Sequence, residues 1–220
     1  MTVHPGRILF SDDSFLAVQK LPRELVVKGS GQVGKLPLLD FLKKNEPGLR
    51  PANRLDFETS GIVLFARTKQ ALEAAIQQQK DGKWLKVYRT LVAGQPKDGG
   101  EIRFPLPART GKGEASAHTT FRVLRRLDGF AYVEAIIATG RHHQIRRHMA
   151  AIGHPLILDN LYGDEKYNRA IGRALRHHHF FLHAFRLSFP HPFTGRNVTI
   201  EAPLPRAFEE VLDRLGAMNR

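Results

Sequence analysis

The residue best suited to react is a single carboxylate, Asp56, in the stretch Arg54-Leu55-Asp56-Phe57-Glu58-Thr59-Ser60-Gly61. It stands two residues after an arginine and just before a Thr-Ser-Gly turn, where it could serve as a nucleophile or a base. Taken alone, such an aspartate more often caps a turn by bonding its own backbone two residues on. The second concentration of chemistry is Thr139-Gly140-Arg141-His142-His143-Gln144-Ile145-Arg146-Arg147-His148. Its arginines and histidines stand where a strand feeds a helix, and helix N-termini favour anions. Arginine adds a planar fork for phosphate or carboxylate. Taken alone, this segment is also what a solvated, charged helix face looks like.

No metal site is expected. His143 and His148 are five residues apart, not the four that turn both rings one way, and neither an HExxH pattern nor a cysteine occurs. The run His177-His178-His179 directs its rings apart and reads as a wet, basic loop.

The elements that must position these groups follow from pattern. Ile62-Val63-Leu64-Phe65-Ala66 is a buried strand that would hold Asp56 at its mouth. Two short strands, Ile8 to Phe10 and Phe15 to Val18, flank an acidic turn. Leu25-Val26-Val27 suggests another strand, leading into a loop with glycines at 29, 31 and 34. Leu36 to Leu42 predicts a short helix. Thr68 to Lys80 predicts a longer one, with Leu72, Ala75, Ile76 and Gln79 sharing a face. Val87 to Gly94 alternates as a strand; within it, a lone Tyr88 would usually be core. Phe121 to Leu124 and Ala131 to Ile137 predict antiparallel strands joined at Asp128-Gly129. A helix from about His142 to Ile152 follows, with Ile145, Met149 and Ile152 as its apolar stripe. Leu182 to Phe189 and Asn197 to Ala202 make a late hairpin, and Phe208, Val211, Leu212 and Leu215 face inward on a final helix. Short strands interrupted irregularly by helices argue for an α+β fold with a mixed, largely antiparallel central sheet and flanking helices. The expected organisation is one domain over residues 1–220, with the only plausible seam at Gln95 to Gly113.

The chain of 220 residues carries 34 basic and 21 acidic groups, a net +13. The excess is spread over both halves, and 14 of the 16 cations after residue 110 are arginine. A folded body of that charge suits a polyanionic partner, and nucleic acid is the expected one. No apolar run reaches the roughly 20 residues needed to span a bilayer. With no cysteine, disulfides and thiol chemistry are excluded. A cytoplasmic protein without a membrane partner is expected.

Arg54-Leu55-Asp56 with Thr59-Ser60-Gly61 resembles the R-L-D-x-x-T-S-G signature of the RluA-type pseudouridine synthases of large-subunit ribosomal RNA and tRNA. Lys86-Val87-Tyr88-Arg89-Thr90-Leu91-Val92-Ala93-Gly94 is similar to that family's K-x-Y-x-A-x-V-x-G strand. Thr139-Gly140-Arg141, His143-Gln144-Ile145-Arg146, His148, Ile152-Gly153-His154-Pro155-Leu156, Asp159 and Leu161-Tyr162-Gly163 resemble its third block. His191-Pro192, Thr194-Gly195 and Ala202-Pro203-Leu204 match its late hairpin. The blocks occur in the family's order from Ile8 to Leu204. The chain departs from the pattern at Asn53 (usually His), Phe57-Glu58, Thr90 (commonly Ala), Leu158 (often Gly) and an arginine-rich insert, Asn168 to His179.

The resemblance implies conversion of uridine to pseudouridine in rRNA or tRNA by a monomer with a central basic cleft, without cofactor or metal. Asp56 would act on the sugar, and Arg146 would fork onto Asp56. Tyr88 would pack on the everted uracil and help move the C5 proton. Arg54 would enter the space the base vacates, and Arg141, His143 and Arg147 would meet the RNA. No small N-terminal RNA-binding module of the S4 type is expected. Gly163 to Arg169 and Gln144 to Met149 lean toward the branch acting on tRNA. The rivals are a catalytically silent RNA-binding relative serving as a chaperone, and a metal-dependent nuclease or phosphoesterase resting on the 11 histidines.

Overall fold

Seven consecutive residues, Ser60–Ala66, are buried on both faces, so the apolar run after Asp56 forms an interior strand. In the computed structural model, which describes residues 3–29, 36–108 and 113–217, the elements follow in order. They are β1 (Ile8–Ser11), β2 (Phe15–Lys20), α1 (Leu38–Leu42), β3 (Arg50–Pro51), β4 (Ser60–Ala66), α2 (Lys69–Lys80) and β5 (Leu85–Ala93). Next come β6 (Gly99–Ile102), β7 (Leu106–Pro107), β8 (Glu114–Ala115), β9 (Thr119–Leu127), β10 (Phe130–Ile137) and α3 (Gln144–Ala151). The last are α4 (Glu165–Leu175), β11 (Leu182–Pro190), β12 (Asn197–Glu201) and α5 (Arg206–Ala217). The architecture is α+β with mostly antiparallel strand pairing and flanking helices.

The chain divides into two compact units, one of residues 1–85 and 184–203, the other of 86–183 and 204–220. In the first, the strand order is β1-β2-β4-β11, with β3 on β4 and β12 on β11. The register of β2 on β4 sets Val18 opposite Val63 and Lys20 opposite Gly61. Phe15, Ile62, Leu64, Trp84, Leu187, Phe189 and Ile200 pack one core, and Leu16, Val18, Leu38, Leu49, Val63 and Phe65 pack another. Gly61 adopts φ +114°, and a Cβ there would meet the Ala184 carbonyl oxygen at 2.3 Å. Only glycine lets β4 run this close to β11.

Thr68 caps α2, accepting the Ala71 amide at 3.0 Å. The inward face of α2 is set by Ala71 and Ala75, while Ile76 is exposed; the expected face is therefore rotated toward the small residues that permit close packing. Leu25-Val26-Val27 forms no strand. The carbonyls of Leu25 and Val26 instead accept the Leu38 and Leu39 amides at the start of α1, satisfying donors that a helix leaves open. Of the loop glycines expected there, 31 and 34 lie outside the described residues.

In the second unit the order is β5-β10-β9-β6. Antiparallel pairing places Tyr88 opposite Ala135 and Lys86 opposite Ile137. β9 and β10 join at Asp128-Gly129, as expected, with Gly129 at φ +71°. The core unites Leu91, Leu127, Ile157, Phe181, Phe208, Val211 and Leu212. β5 is buried along both faces, so its burial does not alternate. The stretch from Gln95 to Gly113 lies wholly within this unit, where Gly99–Ile102 pairs with β9; its residues 109–112 are outside the described set. The boundaries between units fall instead at 85/86, 183/184 and 203/204. The arginine-rich insert contributes a helix, α4, capped by Asp164, which accepts the Tyr167 amide at 2.7 Å.

Candidate active site

Asp56 occupies the loop between β3 and β4 and is half-buried. The loop is built from beneath. Lys20, fully buried at the end of β2, donates through Nζ to the carbonyls of Leu21 (3.0 Å), Phe57 (2.9 Å) and Thr59 (2.5 Å). Three acceptors use the three hydrogens of an ammonium group. Burial pushes the Lys20 pKa down to about 7, while the charges of Glu24 and Asp56 raise it and that of Arg7 lowers it. The Arg23 amide also donates to Phe57 O (2.8 Å), and Thr59 N donates to Asp56 O (3.2 Å). Asn53 accepts the Leu64 amide (2.7 Å) and donates to Ile62 O (3.2 Å), bracing the loop's entry against β4. The residue found in place of the usual histidine therefore has a backbone-pairing task. Arg54 is exposed.

In the second unit, the 138–143 turn and α3 carry the three arginines, three histidines and glutamine singled out in the sequence. His143 takes φ +55° at the N-cap of α3, a left-handed conformation uncommon outside glycine. Gln144 ties the turn down, accepting from Thr139 Oγ1 (2.7 Å) and the Arg141 amide (3.0 Å) and donating to His118 O (2.9 Å). Arg146 is buried, with Nε 2.6 Å and Nη2 2.8 Å from the two oxygens of Asp159, which is 1% exposed. Its guanidinium carbon also lies 4.4 Å from the Phe180 ring and 5.0 Å from that of Tyr162. Asp159 Oδ1 additionally accepts the Leu161 and Tyr162 amides. A buried, bidentate, charge-assisted pair fixes the plane of Arg146. Arg147 Nε donates to the Tyr162 hydroxyl (2.8 Å), which lies 3.0 Å from His143 Nδ1. Arg141 is exposed, and its Nε donates to Ser116 O.

His148 is fully buried; its Nε2 is 3.0 Å from the Phe104 carbonyl and its Nδ1 2.8 Å from Thr119 Oγ1. A carbonyl only accepts, so Nε2 carries the proton and Nδ1 accepts from the threonine. Burial lowers the His148 pKa against the opposing Phe104 hydrogen bond. Nδ1 thereby ties α3 to β9, and Nε2 ties it to the segment between β6 and β7. Tyr88 is buried on β5, on the same face as Lys86 and Thr90. Burial lowers the Lys86 pKa to about 8, and a Cβ on Gly140 would lie 3.5 Å from its Nζ. Thr90, where alanine is common, satisfies its hydroxyl on Phe181 O at 2.6 Å.

Within the second unit, then, His143 and Arg147 meet at Tyr162, whose ring also lies beside Arg146. Tyr88 stands on β5, while Asp56 and Arg54 belong to the first unit. Lys20 beneath the Asp56 loop carries no marker in the sequence, while Asp159 and Tyr162 stand in the third block without any sign that they hold Arg146 and Arg147. Leu158 adopts φ +64°, which explains why glycine suits that position; here its amide is held by Asn168 Oδ1 at 2.9 Å.

Residues 14–151 match the family model described as RNA pseudouridylate synthase. Ribosomal large subunit pseudouridine synthase C of Pasteurella multocida (strain Pm70) is 33% identical over 221 residues, covering 95% of this chain and 68% of the relative. Among solved structures, human RNA pseudouridylate synthase domain containing 4 matches with a TM-score of 0.79 at 22% identity, over 95% of this chain and 92% of that one. Human RNA pseudouridylate synthase domain containing 1 matches with a TM-score of 0.72 at 25% identity, over 99% and 98%.

Proposed function

The chain belongs to the RNA pseudouridylate synthase family, and on that premise we propose that it isomerises uridine to pseudouridine in a structured RNA through Asp56. The observation that carries this reading is the span of the family match, residues 14–151, which includes Asp56, Tyr88 and Arg146. In the reaction the C1′–N1 bond of the target uridine breaks, the uracil turns over, and C1′ bonds to C5. The hydrogen lost from C5 is balanced by one gained at N1. Asp56 acts on the sugar, as a nucleophile at C1′ or a base at C2′.

The other roles belong to the same proposal. Arg146 holds the Asp56 carboxylate. Its Nε and Nη2 donate to Asp159, which fixes the guanidinium plane for that task. Tyr88 packs on the everted base and assists proton transfer at C5. Arg54 enters the gap the base leaves, and Arg141, His143 and Arg147 contact the RNA. Everting a base costs a few kcal/mol of stacking, and contacts between these cations and phosphate offset it. The name of the Pasteurella relative makes large-subunit ribosomal RNA the substrate to test first, ahead of tRNA. The working form is a monomer in the cytoplasm.

Release of tritium from RNA labelled at uridine C5 tests the reading. Tritium should appear in step with pseudouridine. An RNA-bound protein that releases none from ribosomal or transfer RNA would establish the silent RNA-binding alternative instead.

A further inference from the structure

The insert helix α4 presents one face to the core and a different chemistry to solvent. Tyr167, Asn168, Ile171, Gly172 and Leu175 turn inward, whereas Lys166, Arg169 and Arg173 are exposed. At about 100° per residue these three cations fall within about 60° of arc, and they span about 10 Å along the axis. Exposed Ala170 and Ala174 flank them and leave the approach open. Arg176 extends the row at the C-cap, where it adopts φ +52°. That conformation normally favours glycine or asparagine; here it carries a long cationic side chain.

Beside the row lies a cavity of about 290 Å³ whose walls include Asn160, Arg169, Arg173, His177 and His178. Its acid is Glu165, paired with Arg169 at 2.6 Å. Both partners of that pair are more than half exposed, and such a pair is weak and screened by salt. A phosphate can therefore displace it.

We propose that the α4 row and its adjoining cavity form a second RNA-binding surface, which takes backbone phosphates of the substrate outside the target nucleotide. This rests on the reading of the chain as an RNA-modifying enzyme, but its test is binding rather than turnover, so the two fail separately. Equilibrium binding of the full chain to a labelled large-subunit ribosomal RNA fragment is measured across a salt series. The double variant Arg169→Gln/Arg173→Gln is compared with wild type and with Lys69→Gln/Lys80→Gln on α2, which removes the same charge from exposed positions in the first unit.

Losing two phosphate contacts should reduce the slope of log K against log salt by about 1.4 for single strands to about 1.8 for duplex. At about 0.15 M salt, with the electrostatic contribution vanishing near 1 M, this is a ~14- to 30-fold weaker Kd. The α2 variant should stay within about twofold of wild type, as expected where no phosphate is contacted. The proposal is overturned if the α4 variant keeps the wild-type slope and Kd, or if the α2 variant loses as much.

Discussion

Replacing Asp159 by asparagine changes one atom in the second unit and tests how Arg146 is held. Both oxygens of Asp159 receive Arg146, at 2.6 and 2.8 Å, and Oδ1 also takes two backbone amides. An asparagine offers one acceptor oxygen and one NH2 group. If its oxygen keeps the Leu161 and Tyr162 amides, its NH2 must face the Arg146 Nε–H, donor against donor. Breaking a buried ion pair costs about 3–5 kcal/mol. Because the two amide bonds survive, the lower end applies, about 3 kcal/mol or roughly two orders of magnitude in the folding equilibrium. Asp159→Ala forfeits those bonds as well and should approach about 5 kcal/mol. Urea unfolding at 25 °C gives the stabilities. Single-turnover tritium release in the native baseline region gives the rates, expected to fall at least tenfold as the guanidinium loses its fixed plane, an effect of about 1.4 kcal/mol. An Asp159→Asn protein with the wild-type urea midpoint and the wild-type rate would refute the role given to this pair.

Three further outcomes follow from particular contacts. With its folded pKa near 7 and the ordinary lysine value of 10.5, Lys20 binds more protons in the unfolded chain between those limits. It therefore destabilises the fold below about pH 7, and stability rises with pH up to about 10.5, by at most about 1.4 kcal/mol per unit. Over the same range Nζ loses the third hydrogen that its carbonyls require, so turnover should fall. Lys20→Met should remove the Lys20 share of the rise in urea unfolding, leaving only that of Lys86 above about pH 8; a wild-type slope between about pH 7 and 8 in that variant would contradict this. Gly61→Ala, forced into φ +114° and into the Ala184 backbone, should lose more than about 4 kcal/mol and soluble yield with it; an unchanged melting temperature would contradict the close approach of β4 and β11. Weakened RNA binding and a flattened salt dependence on removal of the α4 arginines complete the set.

Much of the framework is legible in the sequence because its signals are local. Ile62 to Ala66 announces β4 by an unbroken apolar run, Thr68 announces the start of α2, and Asp128-Gly129 announces the turn between β9 and β10. Other features depend on contacts distant in the chain. Asn168 and Gly172 argue against a helix by propensity, yet α4 needs both. Asn168 bonds Leu158 N and Asp159 O, and a Cβ on Gly172 would come within 2.9 Å of His177 O. Lys20 closes an apolar strand where a lysine would be expected to reach solvent. Its task appears only once β2 lies against β4 and the Asp56 loop folds over it. Asp159 stands thirteen residues beyond Arg146, a spacing that no helix or strand period connects. The resemblance implies a fork from Arg146 onto Asp56, and nothing in the sequence points to Asp159 on its Nε–Nη2 edge.

The claim on which the rest stands is that Asp56 performs the reaction. Asp56→Asn should bind the RNA substrate with an affinity within several-fold of wild type and release no tritium from C5-labelled uridine in single-turnover conditions. Substantial tritium release by that variant, with its fold and RNA affinity intact, would contradict the account.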